Sequence, residues 1–218
     1  MARMSHGLPT DWLNETAQRE LLAAIYAIIS EAPLYTPHMP RTGLPMSVKM
    51  TNCGPLGWYT DQTEGYRYIR QHPLTQQPWP AMPEAFQALW WRMTDYPHPP
   101  EACLINYYSA NSRMGLHRDA DESARSAPVV SLSLGDTALF RIGGPKRTDP
   151  TNSFRLHSGT LIALDGESRH WHHGVDRIYP GSSPLLPGGG RFNLTLRRVN
   201  PPIKQNAPAG RIPGASSV

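Results

Sequence analysis

Two residues that commonly bind metals, His117 and Asp119, lie two positions apart in the stretch "GLHRDADESARSAPVVSLSLG". In extended backbone, residues i and i+2 point to the same side, so this pair could offer an imidazole and a carboxylate to one point in space. Two ligands begin a metal site but do not complete it. Because a His-x-Asp pair also arises by chance, a third ligand elsewhere in the chain is needed to support the site.

The stretch "GESRHWHHGV" supplies three candidates for that third ligand, namely His170, His172 and His173. Two histidines and one carboxylate on one face of a metal leave the opposite face open. Non-haem Fe(II) oxygenases use this arrangement, since a cosubstrate and O₂ need the vacant positions. A hydrolytic zinc site can use the same ligand types, so the ligands alone leave the identity of the metal open.

A strand pattern near the C-terminus favours the oxygenase. In "RFNLTLRR" the side chains on one strand face are all polar or charged: Arg191, Asn193, Thr195 and Arg197. Unpaired buried charge is unfavourable, so such a face suits a core only if an anion binds there. Arginine guanidinium groups match carboxylates, and 2-oxoglutarate carries two. The alternative is an edge strand whose polar face meets solvent.

Two helices and a first strand are predicted ahead of these motifs. Apolar residues recur at helical spacing in "NETAQRELLAAIYAIISEAP", with Asn14 as the N-cap and Pro33 after the end. The segment "MPEAFQALWWRMTDYP" predicts a second helix with Pro83 in its first turn and its aromatic side chains packed in the core. "MSVKMTNCG" alternates like a half-buried strand, and a turn is expected from Asn52 to Gly57.

From Ala102 onward, short apolar runs alternate with turn signals. Seven runs predict strands: "ACLINYY", "VVSLSLG", "ALFRIGG", "SFRLHSG", "TLIALDG", "HWHHGV" and "RFNLTLRRV". This density of short strands is typical of a sandwich or barrel. "PGSSPLLPGGG" is expected to form a long surface loop. We predict one domain over residues 1–200, mainly β with flanking helices (α+β), followed by a mobile tail at 201–218.

Composition narrows the class of protein. The chain has 218 residues, and its 23 prolines and 18 glycines argue against a helical bundle. A net charge of +4 favours polyanionic partners, although a mildly basic surface without a partner fits equally well. The two cysteines, Cys53 and Cys103, have no CxxC partner and are expected in the core. With no membrane span or signal segment evident, we expect a cytoplasmic protein.

Taken together, several blocks resemble the AlkB family of Fe(II)- and 2-oxoglutarate-dependent nucleic-acid demethylases. They extend from Pro45 to Arg198: "MSVKMTNCGPLGW", "PWPAMP", "ACLINYY", "LHRDADE", "GGPKRTDP", "GESR", "HHG" and "RFNLTLR". The blocks are specific as a set, whereas no single one would be. The resemblance implies a double-stranded β-helix, which is a jelly-roll core, in agreement with the predicted strands. The first forty or so residues and the tail match poorly.

The resemblance also assigns the metal ligands. It implies that His117, Asp119 and His173 bind Fe(II), because the distal histidine of the family stands immediately before a glycine. His170 and His172 would then be partly exposed strand residues with no role at the metal.

The cosubstrate site follows from the same resemblance. It implies that Asn106 and Tyr108 form hydrogen bonds with 2-oxoglutarate, and the alternation in "LINYY" puts both on one side of a strand. Arg191 and Arg197 would bind the two carboxylates, with Asn193 nearby.

The residues implied to surround the substrate base are Trp58, Tyr66, Tyr68, Asp121 and Arg147, of which the first three lie in a nucleotide-recognition segment at about 45–80. A base methylated at a ring nitrogen, such as 1-methyladenine or 3-methylcytosine, is cationic, so an aromatic face and a carboxylate both favour it. Its methylated edge cannot pair, which lowers the free energy needed to flip it out of the helix. Taken singly, Trp58 could instead be a core residue and Asp121 a solvated acid.

The expected reaction is oxidative demethylation of such bases in DNA, and RNA is a further candidate substrate. Fe(II), 2-oxoglutarate and O₂ would be required, formaldehyde would be released, and 2-oxoglutarate would become succinate and CO₂. We expect a monomer with no membrane partner. One alternative keeps the cofactors but acts on RNA, a protein or a small molecule. Another is a non-catalytic jelly-roll binding protein with a zinc or empty site.

Overall fold

A computed structural model of the chain describes residues 3–5 and 8–202, which form thirteen strands and two α-helices. The strands in chain order are β1 (Arg3–Ser5), β2 (Leu8–Trp12), β3 (Val48–Cys53), β4 (Gly57–Asp61), β5 (Gly65–Ile69), β6 (Ala102–Tyr108), β7 (Met114–His117), β8 (Val129–Gly135), β9 (Thr137–Ile142), β10 (Asn152–Leu156), β11 (Thr160–Leu164), β12 (His173–Tyr179) and β13 (Arg191–Arg197). The helices are α1 (Glu15–Glu31) and α2 (Glu84–Met93), and a short 3₁₀ helix spans Gly166–His170.

The strands form two main antiparallel sheets. One has seven strands in the order β1-β2-β11-β8-β13-β6-β3, and the other has four in the order β10-β9-β12-β7. Apolar residues from both sheets pack in one core, among them Leu104 and Ile162 from the larger sheet and Phe140 and Val175 from the smaller. A second core lies on the other face of the larger sheet, where α1 and α2 cover it. The predicted mainly β architecture with flanking helices is confirmed.

Both predicted helices are present. The Asn14 side chain caps α1 by accepting a hydrogen bond from the Ala17 N–H at 2.9 Å. In α2, Phe86 and Trp90 are fully buried, as expected for core aromatics. Pro83 occupies the N-cap of α2 rather than its first turn, a shift of one residue from the prediction.

The polar face of β13 is buried, because this strand lies inside the larger sheet. This strand pairs with β8 on one side and β6 on the other, and all seven of its residues are buried. The edge-strand alternative for "RFNLTLRR" is therefore wrong. β6 also carries Cys103, which faces Cys53 of β3 in the strand register, and both thiols are buried as predicted.

A separate two-stranded hairpin, β4–β5, covers residues 57–69. The turn expected from Asn52 is shorter than predicted, because β3 continues through Cys53 and β4 already begins at Gly57. A Cβ atom at Gly57 would lie 2.4 Å from the Trp79 ring, so glycine is needed where the hairpin leaves the body of the protein.

Three predictions about the second half of the chain need correction. The strand expected in "HWHHGV" begins only at His173, because His170 ends the 3₁₀ helix, Trp171 lies in a bend and His172 has no regular secondary structure. Asp165 caps that helix and exchanges hydrogen bonds with Ser168, which holds the backbone in a turn. Neither His170 nor His172 is thus a strand residue. The structure also contains five strands that the sequence pattern did not predict, namely β1, β2, β4, β5 and β7.

The loop at residues 180–190 is not purely a surface loop, because Leu185 and Leu186 are buried in the helix-side core. No helix among the described residues is both long and apolar enough to span a membrane. Most of the predicted tail, residues 203–218, lies outside the described residues.

Candidate active site

The structure brings His117, Asp119 and His173 together. His117 ends β7, His173 begins β12, and the two are register partners across these paired strands. Their Nε2 atoms lie 3.8 and 4.0 Å from the carboxylate oxygens of Asp119, and one ligand atom from each residue lies within 4.8 Å of the others. Asp119 and His173 are buried, whereas the His117 side chain is 40% exposed.

Backbone carbonyls fix the tautomer of both imidazoles. The Nδ1 atom of His117 lies 2.9 Å from the Gly115 carbonyl oxygen, and that of His173 lies 3.1 Å from the Trp171 carbonyl oxygen. A carbonyl oxygen can only accept, so each Nδ1 must carry the proton. Each Nε2 therefore directs a lone pair toward Asp119, as a metal-binding histidine requires.

Steric constraints explain why a glycine, Gly174, follows the distal histidine His173. A Cβ atom at Gly174 would lie 2.6 Å from the Met114 carbonyl oxygen, because β7 passes close to β12 at this point. The close approach of the two strands keeps His117 and His173 within reach of one ion.

Electrostatics keep the Asp119 carboxylate ionised and the His173 imidazole neutral at neutral pH. Burial alone would raise the pKa of Asp119, but the charge of Arg197 and the two histidines hold that pKa well below its usual value. Burial lowers the pKa of His173 to about 4, with help from His117. One carboxylate and two imidazoles form a donor set that fits Fe(II).

The predicted cosubstrate residues line β6 and β13. Register pairs Arg191 with Tyr108 and Asn193 with Asn106, so four of these side chains are cross-strand neighbours. Arg191 is 1% exposed and donates from Nη2 to Ser133 Oγ at 2.8 Å. Its Nε and Nη1 atoms are buried and make no hydrogen bond within the described residues.

Such unsatisfied guanidinium donors are unfavourable unless a ligand binds them, and a carboxylate matches their geometry. The Oδ1 atom of Asn106 is also buried without a partner, and rotation of this amide would present its N–H groups instead. Both observations fit the dicarboxylate 2-oxoglutarate. Asn193 differs, because its amide already donates to Ser131 Oγ and the Leu132 carbonyl oxygen.

Arg197 connects the cosubstrate side to the metal side. Its Nη2 atom donates to Asp119 Oδ1 at 2.9 Å, and its Nε atom lies 3.4 Å from Glu122 Oε1. Burial would lower the pKa of Arg197, but the two carboxylates raise it above the ordinary value. The guanidinium is therefore charged and shared between two acids.

The aromatic residues expected at the base lie on the β4–β5 hairpin. The rings of Trp58 and Tyr66 stack with centroids 5.5 Å apart and an interplanar angle of 25°. Trp58 Nε1 donates to Asp121 Oδ2 at 2.9 Å, so the hairpin is tied to the loop that carries Asp119. Trp58 is only partly buried and Asp121 is exposed, which leaves both accessible to a ligand.

The other two substrate candidates lie in different surroundings. The Tyr68 hydroxyl donates to Glu122 Oε1 at 2.5 Å, and burial raises the pKa of this tyrosine. Arg147 is exposed on the loop after β9, five residues beyond Ile142, the register partner of His173. This loop borders a cleft of about 640 Å³, which also contacts His170 and Trp171.

Two buried residues of the site, Arg169 and Glu122, were not predicted from the sequence. Arg169 donates to the carbonyl oxygens of Ala127 and Asp119 at 2.8 and 2.7 Å, and to Glu122 Oε2 at 2.9 Å. Arg169 thus joins the segment before His173 to the loop that holds Asp119. The only signal was their place in the blocks "GESR" and "LHRDADE", because contacts between residues 47 positions apart leave no spacing pattern.

Comparisons with known proteins agree with this geometry. The 2OG-Fe(II) oxygenase superfamily matches residues 7–197. An alpha-ketoglutarate-dependent dioxygenase AlkB homolog of Caulobacter vibrioides is 53% identical over 86% of this chain and 84% of the relative. The alpha-ketoglutarate-dependent dioxygenase AlkB of Escherichia coli is 42% identical over 84% of this chain and 85% of its own.

Among solved structures, that of OsALKBH1 aligns with a TM-score of 0.72 and 29% identity, covering 90% of this chain and all of the other. The predicted jelly-roll core is thereby confirmed. The chain belongs to the AlkB family of the 2OG-Fe(II) oxygenase superfamily and is an Fe(II)- and 2-oxoglutarate-dependent dioxygenase.

Proposed function

We propose that this enzyme removes N-methyl groups from cationic bases in DNA, with 1-methyladenine and 3-methylcytosine as its main substrates. The observation that carries the proposal is the aromatic pair Trp58–Tyr66, joined through Asp121 to the loop of the His–Asp–His group. An aromatic face and a carboxylate beside an oxidising centre suit a cationic base better than a neutral one.

His117, Asp119 and His173 would hold Fe(II), the two histidines through Nε2. Fe(II) with 2-oxoglutarate and O₂ supplies the chemistry that hydroxylates the methyl group, while 2-oxoglutarate becomes succinate and CO₂. The hydroxymethyl group on the base nitrogen is a hemiaminal, which loses formaldehyde and leaves the unmodified base.

The side chains of β6 and β13 would bind and orient the cosubstrate. The free donors of Arg191 would bind one carboxylate, and Arg197 would bind the other. Asn106 and Tyr108 would add hydrogen bonds from the neighbouring strand, while Asn193 would keep β13 in place through its contacts with β8. Because these side chains are buried, their interactions with an anion would be strong.

The hairpin would hold the flipped base. The face of Trp58 or Tyr66 would stack on it, at roughly 1–3 kcal/mol per base. Asp121 has its Oδ1 atom left to interact with the cationic ring while Oδ2 holds Trp58. Arg147 would contact the nucleic-acid backbone from the loop after β9. The methylated edge cannot pair, so flipping of this base requires less free energy.

Formaldehyde release from defined oligonucleotides tests the proposal. Protein reconstituted without oxygen with Fe(II) and 2-oxoglutarate would be given O₂ and matched DNA or RNA strands, each with one methyl lesion. We expect most formaldehyde from DNA with 1-methyladenine or 3-methylcytosine. Faster turnover of RNA, a methylated peptide or a small amine would replace the substrate assignment. Conversion of 2-oxoglutarate to succinate without release of formaldehyde from any oligonucleotide would exclude these lesions as substrates.

We further propose a cytoplasmic monomer that acts on nucleic acid away from membranes, consistent with its net charge of +4. Light scattering of the purified chain and fractionation of cells that express it would test both points.

A further inference from the structure

Glu122 is a buried carboxylate, 3% exposed, that three parts of the molecule share. Its Oε1 atom accepts from the Tyr68 hydroxyl of the hairpin, and its Oε2 atom accepts from Arg169 of the 3₁₀ helix. Oε1 also lies 3.4 Å from Arg197 Nε on β13. Glu122 thus contacts residues that support the metal group, the cosubstrate site and the base-binding hairpin.

The hairpin is held at its root by contacts to its backbone. The Trp58 carbonyl oxygen accepts from Tyr35 and Asn52, and the Ile69 carbonyl oxygen accepts from Trp79 Nε1 at 2.9 Å. Trp58, Tyr59 and Ile69 of the hairpin also pack against the core beneath it. Two side-chain hydrogen bonds further tie the hairpin to the loop that follows Asp119, from Trp58 to Asp121 and from Tyr68 to Glu122.

Of these two acceptors, Asp121 is exposed and Glu122 is buried. A hydrogen bond to a charged acceptor is stronger where water is excluded, so the Tyr68–Glu122 contact holds the hairpin more firmly.

Arg197 makes this contact sensitive to the cosubstrate. Its guanidinium is shared between Asp119 and Glu122, and its Nε atom makes no hydrogen bond within the described residues. A carboxylate that binds Arg197 competes with Glu122 for the same positive charge. Glu122 is then less neutralised, and it becomes a stronger acceptor for the Tyr68 hydroxyl.

We propose that Glu122 is a positioning residue that couples the cosubstrate site to the base-binding hairpin. Binding of 2-oxoglutarate at Arg197 strengthens the Tyr68–Glu122 hydrogen bond and favours the docked hairpin. The cosubstrate and a methylated nucleic acid therefore bind cooperatively, and each raises the affinity of the other by the same factor. The nucleic-acid half of this statement rests on the proposed function.

Binding without turnover measures the coupling. With Mn(II) in place of Fe(II) and without oxygen, fluorescence anisotropy would give the Kd of a 3-methylcytosine oligonucleotide with and without 2-oxoglutarate. In the wild type we expect 2-oxoglutarate to lower this Kd by roughly 5- to 20-fold. In Tyr68→Phe we expect 2-oxoglutarate to change the Kd of the oligonucleotide by less than about twofold, whatever the affinity of that variant for the oligonucleotide alone. An unchanged coupling factor in Tyr68→Phe overturns the proposal.

Two further variants control for general damage. Tyr59→Phe removes a hydroxyl from the same hairpin, and Tyr59 packs on Arg67 and Tyr35, away from Glu122. It should keep the coupling of the wild type. Glu122→Gln keeps an acceptor for Tyr68 but removes the charge, so it should lose the coupling even if Tyr68→Phe folds poorly. Loss of coupling in Tyr59→Phe, or its retention in Glu122→Gln, also overturns the proposal.

Hydrogen exchange separates this proposal from the proposed function, because it needs no nucleic acid. Addition of 2-oxoglutarate to the Mn(II) protein should slow amide exchange across residues 57–69 in the wild type but not in Tyr68→Phe. If the enzyme acts on some other substrate, the oligonucleotide will not bind, yet the exchange difference will remain. If exchange in the hairpin ignores 2-oxoglutarate in the wild type, the coupling is absent whatever the substrate is.

Discussion

The two histidines of the metal group are oriented before any ion arrives. Each donates its Nδ1 proton to a carbonyl oxygen two residues earlier in the chain, so the lone pairs of both Nε2 atoms face Asp119. The ionised carboxylate supplies the only negative charge among the three ligands. Its removal should therefore affect metal affinity more than folding, because Arg169 holds the Asp119 backbone independently.

We predict that Asp119→Ala lowers the affinity for Fe(II) or Mn(II) by at least about 100-fold and abolishes formaldehyde release. His173→Ala should behave in the same way, and calorimetry with Mn(II) would measure both. His170→Ala and His172→Ala are matched controls that should keep most activity. A dispensable His173 together with an essential His172 would contradict the choice of distal ligand.

The unpaired N–H donors of Arg191 lead to a second prediction about a single residue. Arg191→Ala removes two unpaired buried N–H groups along with the charge, so we expect little loss of stability. The KM for 2-oxoglutarate should rise by roughly 30- to 1000-fold, equivalent to about 2–4 kcal/mol for a buried charge-assisted pair. Initial rates at varied 2-oxoglutarate would measure this change. If the KM stays the same, these donors do not face the cosubstrate.

Asp121 and Trp58 should affect the substrates differently. Asp121→Asn keeps an acceptor for the Trp58 indole N–H but removes the charge, so it should reduce the preference for 3-methylcytosine over a neutral lesion such as 1-methylguanine. Trp58→Ala should weaken all lesions together, because stacking needs only a π-face. Rates on matched oligonucleotides would give the ratios. If Asp121→Asn lowers the rates on all lesions by one common factor, the carboxylate acts only by positioning Trp58.

At the scale of the elements, the patterns that predicted structure were those repeated over several residues. The helical spacing in α1 and the alternation in β13 gave both the element and the buried face. β1, β2, β4, β5 and β7 were not predicted, because none of them is longer than five residues and their apolar residues do not alternate clearly. The 3₁₀ helix before His173 depends on one capping residue, Asp165, and a run of histidines gave no hint of it.

The hairpin should be sensitive to its first residue. Gly57→Ala would place a Cβ atom 2.4 Å from the ring of Trp79, whose indole N–H also binds the hairpin. We expect a loss of about 1–3 kcal/mol in the free energy of unfolding, together with weaker binding of oligonucleotides. Gly188→Ala is the matched control, because nothing lies within 4 Å of its added carbon. Thermal melts and anisotropy would compare them; equal behaviour would show that the hairpin root can adjust.

At the scale of the whole molecule, the cosubstrate should stabilise the fold. With Mn(II) and 2-oxoglutarate at 100 times its Kd, mass action adds about 2.7 kcal/mol to the free energy of unfolding. For a domain of this size, that corresponds to a Tm increase of roughly 5–10 °C. Differential scanning fluorimetry would detect it, and Arg191→Ala should lose most of the shift at the same concentrations. If Arg191→Ala shows the full Tm increase, 2-oxoglutarate does not bind at Arg191.

The cooperation between distant parts of the chain could not be predicted from sequence alone. Spacing predicted that His117 and Asp119 share one side, and it predicted the polar face of β13. It could not predict that Arg169 and Glu122 meet, or that Arg197 contacts Asp119, because these contacts depend on how the sheets and loops pack. The resemblance to a family supplied the ligand His173 and the hairpin aromatics, whereas the buried ionic network needed three-dimensional structure.

β13 lies inside the larger sheet, so the cosubstrate site is more constrained in evolution than the hairpin that would bind the base. The side chains that would hold the cosubstrate stand on β6 and β13, each hydrogen-bonded to a strand on both sides, and central strands open only with the whole domain. The aromatic residues that would meet the base stand on a hairpin that pairs with no other strand among the described residues. Over evolutionary time, the hairpin can therefore be rebuilt for a new base or a new polymer while the oxidising chemistry beneath it stays intact.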